Sequence, residues 1–341
     1  MPLPRMLFIA QLLFAGLTGA SVQAQTERPP QSLLWTISKN SAPVSYIFGT
    51  MHALCPQDTK LKPHVENALA HVEQVVMEVD MDDPTLLEQM TSQMMNAAQE
   101  AHDEPTTKSK KPSRRRSQHH RAAKRSSSVS LRAQLGKEYQ FVKAFFQDSL
   151  SVPFAALETL GSTPAMLAMM LIPKALGCEP SSVEEALVER VQAERQRRGV
   201  PMEIVGLERI EQQMALVKSV PETDAMEELV AMVKDFSSTK AKMRDLARLY
   251  TSEHLDSIQL LLGELPGSMA KALLVERNAA WLPAMEEHIR RKATLFAVGA
   301  AHLPGEQGLL ALLRRRGFVV EPVLPRSEQL PPHYIKEKEE E

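Results

Sequence analysis

The chain has only two cysteines, Cys55 and Cys178, in 341 residues. Zinc fingers and ribbons hold their metal with closely spaced Cys and His pairs, and these two positions are too far apart for that. No HExxH, GxSxG or glycine-rich phosphate loop occurs, so the common signatures of helix-borne zinc proteases, serine hydrolases and nucleotidases are absent. No apolar run is long enough for a stable membrane span, which takes about 20 residues. The net charge of −2 favours no partner class by itself.

The charges that are present are unevenly placed. Between Lys108 and Arg125 lie nine Lys/Arg and no acid, and the rest of the chain holds 31 basic against 42 acidic residues. The surrounding stretch, 102–130, has almost no large apolar side chain and cannot offset the entropy of ordering. It is expected to be a disordered basic insertion. The terminal segment 331–341 ends in KEKEEE and is expected to fray.

At the N-terminus Arg5 precedes the apolar run MLFIAQLLFAGLTGA, and Val22 and Ala24 occupy the −3 and −1 positions of a cleavage site. Residues 1–24 thus read as a signal peptide, leaving 25–341 as one exported α/β domain, periplasmic or secreted, with no stable span after cleavage. Export makes nucleic acid an unexpected partner for the basic insertion. In an oxidising compartment an even pair of cysteines suggests one disulfide; two unpaired buried thiols are the other reading.

Short β-rich runs alternate with helical ones. SLLWTIS (32–38) and VSYIFGT (44–50) flank a KNSAP turn and predict a hairpin. Further strands are expected at 72–81, 202–208, 294–300 and 317–323. Helices are expected at 62–70, 182–198 (closed by Gly199), 222–263, 266–292 and GEQGLLALLRRR, with a mostly helical insertion over 131–178. The two ends of the chain echo each other: each reads strand, Gly-x-x-His, helix, strand. The expected fold is α/β, a central mixed sheet built from two β–GxxH–α–β units with large helical insertions.

The echo is also where chemistry is expected. Gly49 and Gly299 let the backbone turn as a strand ends. His52 and His302 then project at the C-terminal edge of the sheet, where open α/β folds place ligands. Neutral imidazoles bind Mn, Fe, Co, Ni or Zn. Two histidines merely satisfied by loop hydrogen bonds are the plainer alternative. Glu78 and Glu208 each end an apolar run, a costly place for a carboxylate unless it is paired, solvated or metal-bound. They are the candidates for metal ligand or general base, and Asp80, two residues on, is read on the same face as Glu78. Arg277 in LLVERNAAW is a candidate to stabilise an oxyanion, or an ordinary structural ion pair.

Taken together, WTIS…VSYIFGTMHALCPQD, VVMEVDMDD, ALGCEP…VEEAL, IVGLERIEQQ, LLVERNAAW and FAVGAAHLPGEQGLLALLRRRGFVVEPV resemble the TraB/GumN family, whose relatives include Tiki-type metalloproteases. The resemblance implies a divalent-metal-dependent hydrolase whose GxxH motifs fall on Gly49 and His52, and on Gly299 and His302. It places the further acids on Glu78 and Glu208 and the arginine on Arg277, favours Mn or Co with Zn also possible, and supports pairing of Cys55 with Cys178. The basic insertion departs from the family pattern.

The function expected from these observations is an exported metal-dependent hydrolase, metalloprotease-like and acting on a peptide or protein. His52, His302 and Glu78 are its expected metal ligands, and Glu78, Glu208 and Arg277 its catalytic groups. A periplasmic metal- or haem-binding protein without turnover is the alternative.

Overall fold

The computed structural model describes residues 31–86, 88, 130–159, 162–219, 221–262 and 270–324. Residues 1–24, where a signal peptide is expected, residues 102–129 of the basic insertion and the terminal segment 331–341 lie outside the described residues. Six strands form one mixed sheet: β1 (Leu34–Ser38), β2 (Ser45–Thr50), β3 (Gln74–Met77), β4 (Glu203–Gly206), β5 (Thr294–Gly299) and β6 (Val319–Pro322). Their order across the sheet is β4-β3-β5-β2-β1-β6.

β1 and β2 are the expected hairpin, antiparallel with Leu34 opposite Phe48. Asn40 turns the connecting loop with φ 51°, a left-handed conformation that Asn adopts more readily than most residues. β2, β5, β3 and β4 run parallel, and β1 pairs antiparallel with β6 at the other side. β5 is buried at all six positions, which is why TLFAVG reads as a continuous apolar run rather than an alternating one.

The two β–GxxH–α–β units are therefore real and meet at the centre of the sheet. β2 pairs with β5, Gly49 opposite Val298 and Thr50 opposite Gly299. From β2 the chain crosses β5 to reach β3, while from β5 it crosses β2 and β1 to reach β6. Parallel crossovers are right-handed, so connections leaving in opposite directions put their helices, Pro63–Ala70 and Leu309–Arg315, on opposite faces. The core holds Ile47, Phe48, Leu69, Val75, Leu187, Trp281, Met285, Phe296 and Leu313 among others. Each such side chain contributes about 1.5–3 kcal/mol on burial.

The helical insertion has a core of its own. Helices Leu131–Leu135, Tyr139–Leu150, Phe154–Thr159, Pro164–Met170 and Glu222–Lys234 pack around Phe146, Phe154, Leu167, Leu171, Leu229 and Val233.

The stretch 222–263 is not one helix but three: Glu222–Lys234, Phe236–Thr251 and Leu255–Leu262. Asp235 makes the first break. Its Oδ1 accepts the N–H of Ser238 at 3.0 Å, a cap that a short carboxylate offers in preference to continuing the helix. Likewise 266–292 resolves, over the described residues, into a π-helical turn, Lys271–Val275, and the helix Glu276–Arg291. β3 stops at Met77, short of the expected 81, so strand alternation does not carry on to Asp80.

Candidate active site

The site lies where β2, β3 and β5 end. Gly299 lies at its middle. A methyl group on Gly299 would sit 3.3 Å from Glu78 Oε1, 3.6 Å from His302 Cδ2 and 3.7 Å from His52 Nε2. Three candidate side chains from segments far apart in sequence thus converge over one bare Cα. Gly49 has a different task. A methyl there would meet Leu303 Cδ1 at 2.9 Å and the Ala300 Cα at 3.0 Å, so its bareness lets β2 pack against the turn that carries His302.

His302 is 3% exposed and its ring is held from both sides. Asn278 Nδ2 donates to the carbonyls of His302 (3.3 Å) and Gln307 (2.9 Å), which turns Asn278 Oδ1 toward His302 Nδ1 at 2.6 Å. An oxygen there accepts, so Nδ1 carries the proton and Nε2 the lone pair. Trp281 covers the imidazole with 4.6 Å between ring centroids. Burial against this ring, with Arg277 and His52 nearby, pushes the His302 pKa down to about 4, although Glu78 pulls the other way. The imidazole is neutral at physiological pH.

Arg277 organises the carboxylates. Its Nη2 donates to Glu78 Oε2 and to Glu208 Oε1 (2.6 Å), its Nε to Glu208 Oε2 (3.3 Å), and its Nη1 to Leu273 O and His302 Nε2 (each 3.1 Å). Trp281 Nε1 also donates to Glu208 Oε2 at 3.1 Å, and the guanidinium stacks over the Trp281 ring. Glu78 takes further bonds from Gly299 N (2.7 Å) and Gln213 Nε2 (3.2 Å). Burial works to raise the Glu78 pKa. The charges of His302 when protonated, of Arg277 and of His52, with the Gly299 N–H, outweigh it and hold the pKa below the usual carboxylate value.

His52 is the open member, its side chain 65% exposed, with Nδ1 2.8 Å from Glu184 Oε1. The hydrogen bond to Glu184, with the charge of that carboxylate, raises the His52 pKa to about 9. Glu184 is buried and lies in the first turn of the helix Val183–Arg198, where the helix dipole favours a negative charge. Ser182 caps that helix in a reciprocal capping box with Glu185. The helix start is fixed to the His52 loop by Val183 N→Met51 O (3.1 Å), Leu54 N→Ser181 O (2.9 Å) and the disulfide Cys55–Cys178.

Of the residues singled out in the sequence, His52, Glu78, Gly299, His302, Glu208 and Arg277 are thus brought together, with Gly49 supporting them. Asp80 is not among them. It lies beyond the strand end and its Oδ1 accepts the Asp82 N–H at 3.0 Å, so it shapes a turn. Glu184, Asn278, Trp281 and Gln213 belong to the site and carry no strand-end signal. Only the capping pattern before Glu184 and the neighbour position of Asn278 to Arg277 hint at them.

The donors suit a divalent ion in kind: two imidazole nitrogens and a carboxylate oxygen. His302 Nε2 and Glu78 Oε1 stand 3.6 Å apart, a spacing that metal–ligand bonds of about 2 Å can bridge. Among the described residues no three His, Cys, Asp or Glu side chains stand close enough to enclose an ion. Arg277 Nη1 lies on His302 Nε2, so an ion and this contact are alternatives at one nitrogen.

The sheet and its rim define an α/β protein with a histidine, carboxylate and guanidinium centre at the carboxyl ends of parallel strands. The model of the TraB/PrgY/gumN family matches residues 33–322, and the chain belongs to that family. Comparison with curated proteins and with solved structures finds no match.

Proposed function

We propose that the chain is a hydrolase of peptide or protein substrates, with its reaction centre at His52, Glu78, His302 and Arg277. The reading is supported above all by the convergence of His52 Nε2, Glu78 Oε1 and the His302 ring around Gly299. A divalent ion, Mn or Co on the family resemblance and Zn by donor type, would be held by His302 Nε2 and Glu78 Oε1, 3.6 Å apart, with His52 Nε2 joining them only once its ring draws closer than it stands here. Such an ion supplies Lewis-acid polarisation of a carbonyl and makes water acidic near neutral pH.

The chain's own groups supply the rest. Asn278 and Trp281 orient His302 and keep it neutral, with its Nε2 lone pair directed into the site. Glu184 orients His52, whose exposed ring is the one a substrate meets first. Glu78, whose Oε1 faces His302 Nε2 at 3.6 Å, is the carboxylate between Arg277 and the buried imidazole and the candidate to take a proton. Glu208, with both oxygens committed to Arg277 and Trp281, serves to hold the guanidinium. Arg277 then offers a fixed positive charge for a developing oxyanion.

The experiment is a digest of peptide and ester libraries by the full chain, with Mn, Co or Zn supplied, for wild type and His52→Ala. Cleavage that depends on added metal and is lost in His52→Ala is expected. Equal cleavage by both proteins sinks the proposal. Tight one-to-one metal binding with no turnover on any substrate shifts the reading to a metal- or haem-binding protein.

A further inference from the structure

Away from this site, Met166, Met169 and Met170 stand on the helix Pro164–Met170 with 37%, 60% and 37% of their surface exposed. On the other side of the same segment Leu167 and Leu171 are fully buried in the core of the helical insertion. The helix start is fixed by Pro164 in the first turn and by Thr163, whose side chain accepts the Met166 N–H at 3.3 Å. The three methionines are therefore presented on an anchored element.

Positions i, i+3 and i+4 are neighbours on a helix surface, with Cβ atoms about 5–6 Å apart. Met is unbranched and flexible, so three sulfurs at that spacing can turn toward a common point. Single exposed apolar residues are ordinary, whereas three thioethers within five positions make a chemically specific patch. PAMLAMM carries no charged side chain, so no ammonium or carboxylate of this helix competes for that point. Thioethers are soft donors that select Cu(I) and pass over Mn, Mg and Ca.

We propose that Met166, Met169 and Met170 form a surface site for a soft monovalent cation, Cu(I) or its analogue Ag(I), separate from the imidazole site. The three sulfurs are neutral and bind without releasing a proton. Binding at this patch is therefore independent of pH across the range in which imidazoles titrate, in contrast to any ion held by His52.

The test uses full-length protein carrying 13C-methyl methionine, titrated with Ag(I) and, separately, with Mn. The Met166, Met169 and Met170 methyl resonances are assigned from the single variants M166L, M169L and M170L. Leu keeps the patch apolar and removes only the sulfur. The three resonances are expected to shift together with Ag(I), to saturate at a common point and to ignore Mn. Calorimetry should show one fewer Ag(I) equivalent in the triple Leu variant than in wild type, while His52→Ala keeps the pH-independent equivalent. Overturning results are Ag(I) shifts that bypass these three methyls, or a triple variant that binds as many equivalents as wild type.

Discussion

Glu184 Oε1 lies 2.8 Å from His52 Nδ1, joining a buried carboxylate at a helix start to an exposed imidazole at a strand end. The two residues are 132 positions apart in the sequence, yet the contact fixes which nitrogen of His52 is free. In metal-free protein His52 is expected to titrate near 9. Glu184→Gln removes the charge and should bring that titration down toward the ordinary histidine value. An NMR titration of the His52 ring resolves this, and an unchanged pKa in the variant disproves the coupling.

The same proton would compete with the proposed metal. An ion on His52 Nε2 needs the neutral ring, so affinity for Mn or Co should strengthen as pH rises toward about 9. Calorimetry over that range measures it; in Glu184→Gln the dependence should flatten at lower pH. Affinity insensitive to pH would remove His52 from the ligand set.

His302 governs acid stability. Its folded pKa of about 4 lies below the unfolded value of 6.5, so the unfolded chain binds more protons in between. Stability is therefore present above pH 6.5 and is lost as pH falls toward about 4, by about 3 kcal/mol in all. Glu78, with its pKa depressed below 4.5, adds a loss that begins only in more acidic solution. Denaturant midpoints across this range should slope less in His302→Asn than in wild type.

Two glycines should respond differently to the same methyl. Gly49→Ala drives a Cβ against the Ala300 backbone at 3.0 Å and should cost about 1–3 kcal/mol of stability, as overpacking does. Gly299→Ala meets side-chain atoms at 3.3 Å or more, so the fold should survive while the proposed hydrolysis falls sharply. Thermal melts paired with the library digest separate the two outcomes, and full activity in Gly299→Ala would count against the site.

Removing Arg277 leaves Glu78 and Glu208 facing each other in a buried pocket. Arg277→Met should cost about 3–5 kcal/mol, the usual penalty for an uncompensated buried charge. Adding Glu208→Gln should restore part of it. A double variant no more stable than the single would mean that the guanidinium does not hold the two acids together.

The disulfide spans 123 positions. The chain-entropy account puts its worth at about 5 kcal/mol. Cys55→Ser with Cys178→Ser should lower the denaturation midpoint accordingly. It should also depress activity at temperatures where the fold persists, because the loop carrying His52 and the helix carrying Glu184 lose their covalent tie.

The sheet was legible in the sequence because strand-end glycines and histidines leave local marks. VSYIFGTMH and TLFAVGAAH each show an apolar run, a glycine and an imidazole in fixed order, and the fold joins β2 to β5 at those points. Glu78 and Arg277 were legible because charge inside apolar text is costly and asks for a partner. Glu184 was not. In SSVEEALVER it looks like any acid in a first helical turn, and only packing of that helix against the 51–55 loop gives it a histidine. Asp80 misled for the opposite reason: alternation was carried past Met77, where the strand had ended. The helix boundary at Asp235 depended on a side chain capping its own backbone, a choice that apolar periodicity does not register.

The neighbour of β2 at the middle of the sheet is β5, which begins only at Thr294. A nascent chain leaving the ribosome therefore lacks Gly299 and His302 until long after β2 and β3 have been made. Such late, distant pairing is slow to form. It also means that a chain cut short before Thr294 lacks both Gly299 and His302, and so half of the imidazole pair at the edge of the sheet.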